Sequence, residues 1–153
     1  MTDIASRLAE LGITLPPAAA PIASYVPAVE ANGVLHISGQ LPFVDGELLT
    51  GRLGEDLDIE AGQRAARACG LMLLAQIDKA VGLDRVTQVV KLGVFVNSAA
   101  SFTDQPQVAN GASDLMQEVF GEIGRHARSA VGVPTLPRGV AVEVDAIVAV
   151  RPA

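Results

Sequence analysis

Residues 140–151 read Val140-Ala141-Val142-Glu143-Val144-Asp145-Ala146-Ile147-Val148-Ala149-Val150-Arg151. The side chains of a strand alternate between two faces. One face here is Val140, Val142, Val144, Ala146, Val148 and Val150, apolar throughout. The other is Ala141, Glu143, Asp145, Ile147 and Ala149, which mixes acids with aliphatics. The first face belongs against a helical layer. The second suits a subunit interface with a few buried acids better than open water.

Working outward, His126–Val133 reads as a second strand, and Pro134-Thr135-Leu136-Pro137-Arg138-Gly139 as a short connection pairing it with the last one. Val86–Asn97 is rich in β-branched residues and reads as a long strand. Between these strands lies a helix over residues 107–122, with Val108, Leu115 and Val119 on one face. Asn110-Gly111 is unfavourable inside a helix and suggests a start there, with Asn110 as cap. A longer helix spans residues 58–81. Asp58 caps it, and Ala65/Ala66, Cys69, Met72/Leu73, Ile77 and Ala80/Val81 recur at helical spacing. Upstream, Val26–Ala31 and Val34–Ser38 form a hairpin across Asn32-Gly33. Residues 43–57 read as a loop with one short strand at Glu47–Thr50.

The first dozen residues form a small amphipathic helix on Ile4, Leu8 and Leu11, ended by Gly12. Pro16, Pro17 and Pro21 then impose an extended arm. Residues 1–21 are thus a leader of helix plus Pro/Ala-rich arm, and 22–153 a single domain. The order predicts an α+β fold: a mixed six-stranded sheet with two helices on one face. Two helices cannot cover both faces, so the other face is left to solvent or to another subunit.

The chain has 153 residues, half of them hydrophobic, which suffices for a core and excludes bulk disorder. Apolar runs are short, as at Ala146–Val150, whereas a membrane helix needs roughly 18–20 such residues. Eleven basic against seventeen acidic residues leave a net charge of −6, and aromatics are 3%. This balance disfavours nucleic-acid binding, which needs phosphate neutralisation. The one cysteine, Cys69, excludes an intramolecular disulfide and a Cys-rich metal site. On the apolar helix face it reads as an inert thiol. With no signal-like start, the expected location is cytoplasmic.

Phosphate-loop, dinucleotide, nucleophile-elbow and zinc-protease motifs are all absent. His36 and His126 lie far apart on different strands, and no metal site is expected. Arg128 stands inside an apolar strand. A guanidinium there needs an anion, and its planar fork suits a carboxylate. That anion is either a ligand or Glu143 or Asp145, brought level by the 134–139 connection. Glu143, among valines, is a candidate acid or base or else the partner of Arg128. Ser38 beside Gly39, and Tyr25, the only tyrosine, are candidate pocket residues or else an ordinary turn and edge.

Three segments together resemble the RidA/YjgF family of reactive intermediate deaminases, once called endoribonuclease L-PSP. They are Tyr25 with Ile37-Ser38-Gly39-Gln40-Leu41-Pro42; Val94-Phe95-Val96 with Phe102 and Val119-Phe120-Gly121; and Ala127–Val133 with Leu136-Pro137-Arg138-Gly139 and Val142-Glu143-Val144. The resemblance implies a chorismate-mutase-like fold, homotrimers around a central barrel, and small-molecule clefts between subunits. It implies hydrolysis of imines and enamines such as 2-aminoacrylate to 2-keto acids and ammonia, without metal or organic cofactor. Arg128 would then hold the substrate carboxylate and Glu143 would position or activate water. Tyr25, Ser38, Gly39 and Ser113 would line the cleft. Ala130 stands where the family has cysteine and Ser113 where it has asparagine. The N-terminal extension and the longer segment between Val96 and Phe120 mark a longer branch. A trimer that only binds a small carboxylate metabolite is the alternative reading. Ribonuclease action is the one the charge supports least.

Overall fold

The structure, a computed structural model, describes residues 3–153. Helix α1 spans Ile4–Glu10 and is capped by Asp3, whose carboxylate accepts the Ser6 N–H. Met1 and Thr2, included in the expected leader, lie outside the described residues. The strands are β1 (Ala28–Ala31), β2 (Val34–Gln40), β3 (Phe43–Val44), β4 (Glu47–Leu48), β5 (Val86–Asn97), β6 (Ala127–Val133) and β7 (Val142–Val150). The long helices are α2 (Ile59–Ala80) and α3 (Gln105–Phe120). Asp58 caps α2 by accepting the Ala61 N–H.

The main sheet has five strands in the order β1-β2-β7-β5-β6, with β5 and β6 parallel and the other pairs antiparallel. The sixth expected strand is not in it. Glu47–Leu48 turns back on Phe43–Val44 across Asp45-Gly46, both at positive φ, and forms a separate ribbon. Positive φ at both central residues is the geometry of a tight hairpin turn, which folds the segment on itself before it can reach the sheet. Thr50 makes only an isolated bridge to Val140.

The expected pairing of β6 with β7 is also absent. α3 is the crossover of a β5-α3-β6 unit, and such a unit lays its two strands parallel and adjacent. β6 therefore takes the outer edge of β5, and β7 lies on β5's other side. The connection passes over the end of β5 and is clasped there. Asn97 Nδ2 donates to Val140 O at 3.1 Å, and its Oδ1 accepts from Arg52 Nε at 3.1 Å. Arg52 Nη2 donates to Pro134 O at 2.7 Å.

α2 and α3 cover one face. Leu92, Val94, Val96, Val142, Val144, Ala146 and Val148 are buried against Ala65, Cys69, Leu73, Ile77, Ala112 and Leu115. Burying a side chain of this size contributes about 1.5–3 kcal/mol. α3 begins at Gln105, not at Asn110, so Asn110-Gly111 is interior. The reason is steric. A Cβ at Gly111 would strike the carbonyl of Gln63 on α2, so glycine here permits close helix approach. The opposite sheet face is bare in the single chain. Val29 is 51% and Val131 46% exposed, and Phe95 and Ile147 share that face with Glu143 and Asp145.

Candidate functional site

The residues singled out from the sequence fall into two groups that do not meet. The first lies where β2 breaks its pairing with β7 between Ile37 and Gln40. That irregularity turns Ser38 and Gly39 towards a cavity of about 510 Å³, which Tyr25, Glu143 and Arg138 also line. Residues 19–23 of the arm form one wall. Ser38 Oγ donates to Val26 O at 2.8 Å, leaving its lone pairs to the cavity. Behind the bulge, Gln40 Nε2 donates to Ser38 O, and Gln76 Nε2 donates to both Gln40 Oε1 and Ala19 O. Gly39 has a steric purpose: a Cβ there would run into the Glu143 carboxylate.

Among the described residues, nothing donates a hydrogen bond to the Glu143 carboxylate. Burial pushes its pKa up from the usual range, and the neighbouring Asp145 adds to the rise. Burial also raises Asp145, partly offset by the Gly93 N–H and Lys91. Both carboxylates of this face are therefore shifted towards the protonated form.

The second group is built on β6 and α3. Arg128 sits beside Leu92 in the β5 register and so points to the helical face. Its Nη1 donates to Asn110 Oδ1 at 2.9 Å and to Ser113 Oγ at 3.1 Å; its Nη2 donates to Pro106 O at 3.3 Å. The expected alternative of an ion pair with Glu143 or Asp145 does not form. β5 separates the two strands, and the acids lie on the opposite face. Ser113 is buried, and its Oγ also lies 2.8 Å from His126 Nε2. Cys69 is fully buried, with Sγ directed at Val142 O. Burial and the charge of Glu143 raise its thiol pKa far above normal, consistent with an inert role.

Sequence reasoning missed Arg138, Gln76 and Asn110. Arg138 carried a signal, standing between Pro137 and Gly139 in a tight turn, where it adopts a left-handed φ of 58°. Asn110 carried one too, as an awkward residue within a helical pattern. Gln76 reads as an ordinary helix residue. Among the described residues, no three His, Cys, Asp or Glu side chains gather as a metal site would need. Among the described residues, no helix is long and apolar enough to cross a membrane.

The chain is similar to known proteins over nearly its whole length. It is 59% identical over 148 residues to Protein TCP17 of Trypanosoma cruzi, covering 95% of this chain and 92% of that one. It is 30% identical to a 2-iminobutanoate/2-iminopropanoate deaminase of Dermatophagoides farinae, covering 91% and 95%. Among solved structures, a protein of unknown function from Agrobacterium tumefaciens superposes with a TM-score of 0.90 at 46% identity, covering 97% and 92%. E. coli TdcF with bound serine superposes with 0.60 at 27% identity, covering 88% and 94%. The family model described as "YjgF/chorismate mutase-like, putative endoribonuclease" matches residues 5–147. With that match over most of its length, its mixed sheet and its helices on one face, this chain belongs to the YjgF/RidA family.

Proposed function

We propose that the protein is a homotrimer that hydrolyses small 2-imino acids to 2-keto acids and ammonia, in clefts shared by adjacent copies. The observation that carries this reading is the separation of the two groups. Arg128 and Glu143 lie on opposite faces of one sheet with β5 between them, so one chain cannot bring both to one ligand. A second copy seated on the bare face could supply the missing half. The exposed Val29 and Val131 support such a contact. The 2-iminobutanoate deaminase relative supports the reaction, and the serine bound in TdcF supports a small carboxylate ligand.

The proposed chemistry is simple. Arg128 holds the carboxylate through its planar fork. Glu143, ionised but raised in pKa, takes a proton from a water molecule as its oxygen attacks the imine carbon. Glu143 passes that proton to the imine nitrogen, which gives the neutral carbinolamine. It then takes the carbinolamine hydroxyl proton as the carbonyl forms and delivers it to the departing nitrogen; the carbon–nitrogen bond breaks, and ammonia and the 2-keto acid leave. A 2-imino acid is already electrophilic, so anchoring and a positioned water suffice and no cofactor enters the scheme. The family description also carries endoribonuclease, but a net charge of −6 opposes phosphate-backbone binding.

The test is a coupled assay. An amino-acid oxidase generates the imino acid, and semicarbazide traps what survives. The protein should lower the trapped imine and accelerate 2-keto acid release. A folded trimer that binds pyruvate saturably without accelerating any imino acid would overturn the enzyme and leave a metabolite-binding protein. A stable monomer at micromolar concentration would remove the shared cleft.

A further inference from the structure

Arg128 lies at one end of a hydrogen-bond chain with a fixed direction. His126 Nδ1 lies 2.7 Å from Gly124 O, and a carbonyl can only accept, so Nδ1 carries the proton. In the neutral ring Nε2 then offers a lone pair. The Ser113 hydroxyl, 2.8 Å away, gives its one proton to it. That leaves the Ser113 oxygen to accept from Arg128 Nη1. The chain starts at the guanidinium, passes through a buried serine, and ends on backbone at the close of the α3–β6 connection. It binds β6, α3 and the turn at Gly121–Gly124 to one another.

We infer that His126 is a positioning residue for the carboxylate anchor: by fixing the direction of the Ser113 hydroxyl, it holds the Arg128 fork in one orientation. The inference rests on the reading of Arg128 as that anchor. Without His126, the Ser113 proton is free to turn towards the guanidinium, and the acceptor becomes a competing positive end. Arg128 then keeps Asn110 on Nη1 and Pro106 O on Nη2 but loses the second of the two acceptors that fix Nη1. A guanidinium that must be ordered on binding costs affinity that a preorganised one does not. A Ser–His pair of this kind could also be a nucleophile and its base. Here the serine oxygen is buried and covered by Arg128 itself, which opposes that role.

The experiment is calorimetric titration of the intact protein with pyruvate, a carboxylate that cannot be hydrolysed further. His126→Phe keeps a ring but has no acceptor, and binding should weaken about tenfold, the value of one modest hydrogen bond. His126→Gln, whose amide oxygen can take the Ser113 proton, should recover most of that loss. Ser113→Ala should cost the same as His126→Phe, and the double variant no more than either, because both break one chain. Nitrogen-15 spectra of the wild type should show His126 protonated at Nδ1 and bare at Nε2. If Arg128→Ala binds pyruvate like the wild type, the anchor reading falls. If Arg128→Ala fails to bind but His126→Phe binds normally, only the present inference falls. A folded His126→Gln as weak as His126→Phe, or a ring protonated at Nε2, overturns it equally. Should His126→Phe not fold, the Gln variant and the spectra decide. Covalent labelling of Ser113 by a fluorophosphonate would replace the positioning role with a nucleophilic one.

Discussion

The surroundings of Arg128 and of Glu143 differ in how far each is completed within one chain. Around Arg128, both terminal guanidinium nitrogens have acceptors, all drawn from α3. Around Glu143, no described residue donates, a second carboxylate sits nearby, and glycine keeps the space in front of it clear. The arginine is ordered in advance, as the proposed carboxylate anchor needs to be. The carboxylate is kept short of partners, so its proton affinity stays high.

The most damaging change should be Arg128→Ala. Imine hydrolysis should fall beyond about 10³-fold, the scale of removing one partner from a buried charged contact. Sedimentation should still show the proposed trimer, because the Arg128 hydrogen bonds to Asn110, Ser113 and Pro106 tie it to α3 and not to the bare sheet face. Arg128→Lys should restore little, since an ammonium cannot reproduce the fork. Next is Glu143→Gln, which should lower kcat by about 10²–10⁴ with little change in KM, the span of general acid–base catalysis. A uniform fall in affinity instead would make Glu143 a binding group and erase the contrast. In the wild type, the acid limb of kcat/KM should lie above the ordinary glutamate value of about 4.3. A limb at or below that value would show the carboxylate stabilised by partners after all.

The third effect is smaller and purely structural. Gly111→Ala places a methyl against the Gln63 backbone and should cost about 1–3 kcal/mol in urea denaturation. The smallest concerns the same glutamate. Its folded pKa is raised, so the fold disfavours the ionised form. Stability from this group is greatest below the unfolded value and falls as pH rises through the folded one. Glu143→Gln should therefore stabilise the protein at pH 7, by no more than about 1 kcal/mol because solvent screens the half-exposed group. The gain should vanish near pH 4 in thermal melts.

Alternation made the sheet legible. β5 is bounded by Val86 and Asn97 as its β-branched pattern indicates, and β7 buries the valine face read from residues 140–151. Local pattern does not say which strand lies beside which. β6 and β7 look like a hairpin because six residues join them, yet the βαβ handedness of the preceding unit places β5 between them. The same limit hid the site. Arg128 and Glu143 were legible as residues in need of explanation, but their faces and partners depend on that strand order. Asn110 looked misplaced because a helix rule was applied without its reason. The neighbouring glycine answers to α2, and the asparagine answers to Arg128.

The arm has a consequence for how such a protein can change. Its stretch from Ala19 to Ala23 walls the cavity but belongs to no strand or helix. It is pinned at Ala19, by Gln76 through the carbonyl and by Met72 Sδ through the amide. Among the described residues, the arm makes no hydrogen bond to Arg128 or Glu143. Under the proposed function, chemistry and size selection sit in separable pieces of one chain, and a rewritten wall would exchange one class of small carboxylate for another while the sheet keeps its strand order.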